Sequence, residues 1–158
     1  MTLTLESAAF ANYGPLPARY TCEGNELSPP LRWSGVPDET RSLALILTDV
    51  DAPDPDAPAM PYAHWVVFNL PPDVTELMEG TVVASAAEAA TEGINDGHST
   101  GYRAPCPTMG RHRYVFTLYA LDDVLADLQL PTRGRLESAM SGHVIDTSEL
   151  TATFERAD

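Results

Sequence analysis

The sequence predicts a mainly β protein: a sandwich of antiparallel sheets with a few short peripheral helices. Three observations lead there. Several short runs are apolar throughout or alternate between apolar and polar residues, the periodicity of strands. Fourteen prolines and ten glycines, scattered along 158 residues, leave little room for long helices. Proline-rich turns rather than linkers separate the runs. One domain over residues 1–158 is therefore expected, long enough to bury a core without metal or disulfide.

The elements follow in order. Residues 2–9 alternate loosely, with Leu3 and Leu5 on one face. Residues 42–48 are apolar through their centre, as in a strand buried on both faces. Residues 64–69 and 114–121 read the same way. Residues 148–155 alternate cleanly, which turns Leu150, Ala152 and Phe154 inward and Thr151, Thr153 and Glu155 outward. The best helix opens after Pro131 with Thr132 as N-cap. Leu136, Ala139, Met140 and His143 then recur at helical spacing, and Gly142 is placed to end it. A second short helix is expected over residues 122–128.

Composition narrows the function. Twenty-three acids face nine bases, a net charge of −14, and all nine bases are arginine. Such a field repels nucleic acid and anionic lipid surfaces. No basic amphipathic helix is present to anchor the chain, so neither nucleic-acid binding nor stable membrane association is expected. No apolar run reaches membrane-spanning length, and the N-terminus does not read as a secretory signal, which points to the cytoplasm. The acidic, lysine-free composition suggests a halophilic source; a genome biased against lysine codons would produce the same composition. Cys22 and Cys106 have no Cys-x-x-Cys partner, and two unpaired thiols are the default reading. The histidines show no zinc-like spacing, and no cofactor or metal is expected.

Three segments combine stiff backbone with polar reach: Asp49-Val50-Asp51-Ala52-Pro53, His64-Trp65, and the loop from Gly101 into the strand at Tyr114. The first ends one apolar run in a carboxylate. The other two each open a run with a histidine, His64 and His112. Strands so arranged can converge at one end of a sandwich, where sites are commonly built.

In these residues the chain resembles the phosphatidylethanolamine-binding protein family, in its bacterial and archaeal branch similar to Raf kinase inhibitor protein. The likeness runs in order through Ser28-Pro29-Pro30-Leu31-Arg32-Trp33, the aspartate–proline loop, His64-Trp65, Gly101-Tyr102, Pro105-Cys106-Pro107, Gly110-Arg111-His112-Arg113-Tyr114, Gly142-His143 and Thr153-Phe154-Glu155-Arg156. Asp54-Pro55-Asp56-Ala57-Pro58 matches the family's acidic motif letter for letter. The family, however, sets that motif directly after the apolar strand, and there Asp49 to Pro53 stands. Asp49 is therefore assigned to the pocket and Asp51 to an arginine, with residues 54–58 an exposed echo. Arg103-Ala104 departs from the glycine usual in the family, as does Thr108-Met109.

The resemblance implies a non-enzymatic protein with a small cavity for anions such as phosphate or phosphorylated head groups. Asp49, His64 and His112 would line it, with Tyr62, Pro105, Cys106 and Gly110 at the mouth. A carboxylate beside two imidazoles favours their charged form, giving a locally positive pocket in a negative protein. The expected partners are a phosphorylated small molecule or anion and a protein partner, a kinase or hydrolase, that it modulates. An exposed apolar face would add a homodimer. The competing reading is a hydrolase in which Asp49 orients His64 or His112 as general base. Trp33, Trp65 and His143 are assigned to packing, His98 to solvent, and Arg113 to an internal acid.

Overall fold

A computed structural model describes residues 2–81, 91–126 and 128–157. Among these residues nine strands form two sheets. A three-stranded sheet holds β1 (Thr4–Glu6), β3 (Leu31–Ser34) and β6 (Glu76–Leu77) in the order β1-β3-β6. The larger sheet has the order β2-β9-β8-β4-β5-β7, built from β2 (Gly14–Pro15), β4 (Ser42–Asp49), β5 (Tyr62–Leu70), β7 (Thr91–Glu92), β8 (Arg111–Leu121) and β9 (Val144–Glu155). One α-helix among the described residues, α1 (Arg133–Met140), packs on the outer face. No helix among them is long and apolar enough to cross a membrane.

The double burial of β4 has a direct cause. Its Leu43, Leu45 and Leu47 enter the core between the sheets, with Trp33 from β3 and Phe116 and Leu118 from β8. Its Ala44 and Ile46 face the other way, into a second core closed by Leu136 and Met140 of α1. An apolar layer on each side requires an uninterrupted apolar strand. Thr132 caps α1, its side chain accepting the Arg135 N–H, and Gly142 beyond the helix takes φ +83°. His143 follows the helix instead of continuing its apolar face.

Four expectations need correction. Residues 122–126 and 128 form bends and turns, not a helix, and Asp127 lies outside the described residues. Polar anchors hold the segment open: Ser42 donates to the Asp123 carbonyl at 2.6 Å, and the Asn69 amide bonds both N–H and C=O of Leu125 at 2.9 Å. Thr151 is buried rather than outward. The chain before β2 covers it, Tyr13 N–H donating to the Thr151 carbonyl and Asn12 Oδ1 accepting its N–H. The sheets are not wholly antiparallel, because β2 runs parallel to β9 through Gly14↔Ala152 and Pro15↔Thr153.

The fourth correction concerns the cysteines. Cys22 and Cys106 form a disulfide, with Cα atoms 5.4 Å apart and a sequence separation of 84. Cys22 N–H also donates to the Pro105 carbonyl at 3.1 Å, so the two loops are zipped before the sulfurs meet. That contact is tertiary and leaves no trace in spacing. Disulfides persist mainly in oxidising surroundings, so reduced thiols no longer support the cytoplasmic reading.

Candidate functional site

The site continues the core's own alternation. On β4, Leu43, Leu45 and Leu47 point between the sheets, and Asp49 is next on that face. On β8, Leu118, Phe116 and Tyr114 do the same, and His112 is next. The adjacent strands pair Asp49 with Tyr114 and Asp49 with Tyr62. Polar residues thus begin where the apolar face runs out.

His64 reaches this face by a bulge. Leu47 pairs with Trp65, but the following Thr48 pairs with Ala63, leaving His64 as an extra residue in β5. Strict alternation would put His64 opposite to Trp65. The bulge reverses the phase instead, as bulges beside binding sites do. Its ring lies 4.8 Å from that of Tyr62 and meets Tyr114 edge-on at 5.5 Å.

These groups line one cavity of about 470 Å³, within the range of small-molecule sites. Asp49, His64, His112, Tyr62 and Cys106, all expected there, are on its wall. Pro105 and Gly110 are not among the lining residues. Pro105 is buried behind the wall, its carbonyl engaged by Cys22, and Gly110 abuts Pro55. Tyr114, Arg103, Glu26 and Cys22 line the cavity without having been expected to. Tyr114 was legible as the residue two beyond His112 on an alternating strand; Arg103 and the other two required the loop fold. Among the described residues no cluster could hold a metal ion.

The hydrogen bonds fix the chemistry. His112 Nδ1 lies 2.6 Å from Asp49 Oδ2, and its Nε2 lies 2.8 Å from the Met109 carbonyl. A carbonyl only accepts, so Nε2 carries hydrogen. An ionised carboxylate also only accepts, so the buried pair holds one proton more than neutral imidazole plus carboxylate, and its net charge is zero. Asp49 Oδ1 accepts the Asp51 N–H at 2.9 Å. His64 Nδ1 donates to the Arg103 carbonyl at 2.8 Å, leaving Nε2 with no partner among the described residues. Burial lowers the His64 pKa, outweighing the opposing pull of that hydrogen bond and of Asp49. The expectation of two charged imidazoles is therefore corrected: His64 is neutral, and His112 spends both nitrogens on the protein.

Other side chains complete the wall. The Tyr114 hydroxyl is buried and has no well-formed hydrogen bond among the described residues; the Asp49 carboxylate is its one near acceptor, and burial, then the charge and hydrogen-bonding pull of Asp49, raise its pKa. Arg103 forms no ion pair among the described residues. Asp51 behaves as assigned: it accepts from Arg113 Nη2 at 2.9 Å, Nε at 3.0 Å and N–H at 2.7 Å, and that guanidinium holds its carboxyl below the ordinary value. Trp33 and Trp65 are core, His98 is exposed, and residues 56–60 are exposed.

A family model described as phosphatidylethanolamine-binding protein matches residues 6–155. The chain belongs to that family. A UPF0098 protein of Methanothermobacter thermautotrophicus is 44% identical over 98% of this chain and 99% of its own. A solved putative phosphatidylethanolamine-binding protein homologue from Chlamydia trachomatis superposes with TM-score 0.90 at 42% identity, covering 99% of each chain. YbcL of Escherichia coli, described as a new member of the mammalian family, gives 0.87 at 27%, covering 99% of this chain and 100% of its own. Membership accords with the bacterial and archaeal branch and with a binding-protein fold.

Proposed function

We propose that this phosphatidylethanolamine-binding protein family member is a non-enzymatic binding protein whose cavity holds phosphate or a phosphorylated head group. One observation carries the reading. Tyr114, whose buried hydroxyl has no well-formed hydrogen bond, and His64, whose Nε2 has no partner among the described residues, line one cavity with Arg103, which forms no ion pair among them. A buried hydroxyl without a partner is costly, and a ligand oxygen relieves it. Arg103 supplies charge in a geometry suited to phosphate oxygens.

The hydrolytic alternative loses its dyad. Asp49 orients His112, whose second nitrogen donates to Met109 and has no lone pair for a substrate proton. His64 has that lone pair but is held by a backbone carbonyl rather than a carboxylate.

The test is calorimetry with inorganic phosphate and with phosphoethanolamine, alongside thermal melts. Binding that protects the fold by about 2.7 kcal/mol at a hundredfold excess over Kd, and that Tyr114→Phe weakens, supports the reading. No heat and no melting shift with either compound refutes it. Ester turnover that disappears in His64→Gln would favour the enzyme instead.

A further inference from the structure

The open hydrogen-bonding groups of the cavity have a definite sense. His64 Nε2 is an acceptor, because Nδ1 has already given its hydrogen to the Arg103 carbonyl. His112 offers no N–H to a ligand, since both nitrogens face protein acceptors at 2.6 and 2.8 Å. The wall that would meet an anion thus includes a lone pair that must be answered by a donor hydrogen. Inorganic phosphate and phosphomonoesters bring one when singly ionised. Phosphodiesters, having no P–O–H, cannot.

The charges point the same way. Around His64 stand Asp49 on β4, Tyr62 on β5, Tyr114 and His112 on β8, and Asp96 and Arg103 on the adjoining loops. Asp49 with His112 sums to zero, both tyrosines are neutral, and the Asp96 carboxylate is engaged by the Ala63 N–H at 2.8 Å. Glu26 lines the same cavity as Arg103 and offsets its charge. No surplus of positive charge is present to hold a dianion, and a monoanion that keeps its proton meets less opposition. The low pKa of His64 supports this, because the imidazole does not charge itself readily to fill the need.

We propose that the cavity selects phosphomonoesters over phosphodiesters, and binds them with uptake of one proton, because the bound phosphate must present a hydrogen to Nε2 of His64. The proposal rests on the anion-pocket reading and specifies its ligand class. A monoester's second ionisation lies near pH 6, so above pH 7 it is mostly dianion and must gain a proton on entry. The hydrogen then bridges a phosphate oxygen and Nε2. Tyr114 is left to serve a second phosphate oxygen, and Arg103 the net charge.

The experiment titrates the protein with phosphoethanolamine and with glycerophosphoethanolamine, a diester of the same head group. Calorimetry is run at pH 6.0 and 7.5 in two buffers of different ionisation enthalpy, which counts protons taken up. The expected result is monoester binding at least about tenfold tighter than diester at pH 6.0. At pH 7.5 it should proceed with uptake of roughly one proton, so that affinity falls about tenfold per pH unit above pH 7. His64→Gln should erase both the preference and the uptake, while Arg103→Gln should weaken the two esters alike. Equal affinity for both esters, or monoester binding without proton uptake, overturns the inference while leaving the anion pocket standing. Failure of both esters to bind overturns the pocket reading itself, and the inference with it.

Discussion

Strand β8 runs between two histidine–aspartate pairs. At its start His112 meets Asp49 at 2.6 Å, with side chains 2% and 6% exposed; just past its end His143 meets Asp122 at 2.9 Å, at 41% and 45%. The contact is nearly the same and the surroundings are opposite. Buried, the pair must satisfy every ring nitrogen and both carboxylate oxygens from the protein, which it does through Met109 and Asp51. At the surface, water performs that task and the pair commits the chain to nothing. Composition and pairing alone do not make a site; a cavity lined by buried polar groups left open does.

Stability measurements can break this contrast. His112→Ala strands a buried carboxylate and is expected to cost roughly 3–5 kcal/mol in urea denaturation. His143→Ala, in an exposed pair, should cost less than about 1 kcal/mol. Comparable losses would show that burial is not what separates the two ends. The cavity end is also cross-linked, so the double replacement Cys22→Ser and Cys106→Ser should lower stability by about 2–5 kcal/mol and loosen the rim. If the double variant is as stable as the parent and binds phosphate equally, the rim is not held by the bond.

Acid titration sharpens the contrast further. His64 has a folded pKa below its unfolded value near 6.5, so the unfolded chain binds more protons as pH falls. Stability should therefore decline from about pH 7 downward, by at most about 1.4 kcal/mol per pH unit from this residue. His64→Gln should remove that slope. Asp51 acts in a separate window: its lowered pKa stabilises the fold above the ordinary carboxylate value and is lost only as pH falls through the folded one. The smallest effect compares two tyrosines. Tyr102 donates to the Tyr20 carbonyl at 2.7 Å, whereas Tyr114 makes no well-formed hydrogen bond among the described residues. Tyr102→Phe should cost about 1 kcal/mol, while Tyr114→Phe should be neutral or slightly stabilising in ligand-free protein. A clear loss for Tyr114→Phe would mean that its hydroxyl already has a partner.

Much of this was readable from the chain, and what was not has a physical cause. The strands of both cores show in their periodicity because burial on one face or two imposes it. Asp49 and His112 were legible as a carboxylate that ends one apolar run and an imidazole that opens another, and the pairing of Asp51 with an arginine followed from the family resemblance. The expected helix over residues 122–128 failed because Asn69, more than fifty residues away, claims the Leu125 backbone. Thr151 failed because Asn12 and Tyr13, just before the short parallel strand, cover it. The disulfide, the place of Arg103 on the cavity wall and the neutrality of His64 depend on which loops meet, and local pattern does not encode that.

The irregularity in β5 has a wider consequence. From Leu47↔Trp65 toward Leu43↔Leu70 the strand is committed to two cores; beyond the extra residue Ala63 still serves the second core, while the inner face turns to the cavity with Tyr62. Deleting Ala63 would bring the imidazole to face the helix layer and leave every core pairing beyond Trp65 untouched. A single lost codon would thus silence the cavity and set a polar ring in the packed place of a buried alanine, a local strain on the helix side. Recognition and packing meet here in one extra letter of the strand.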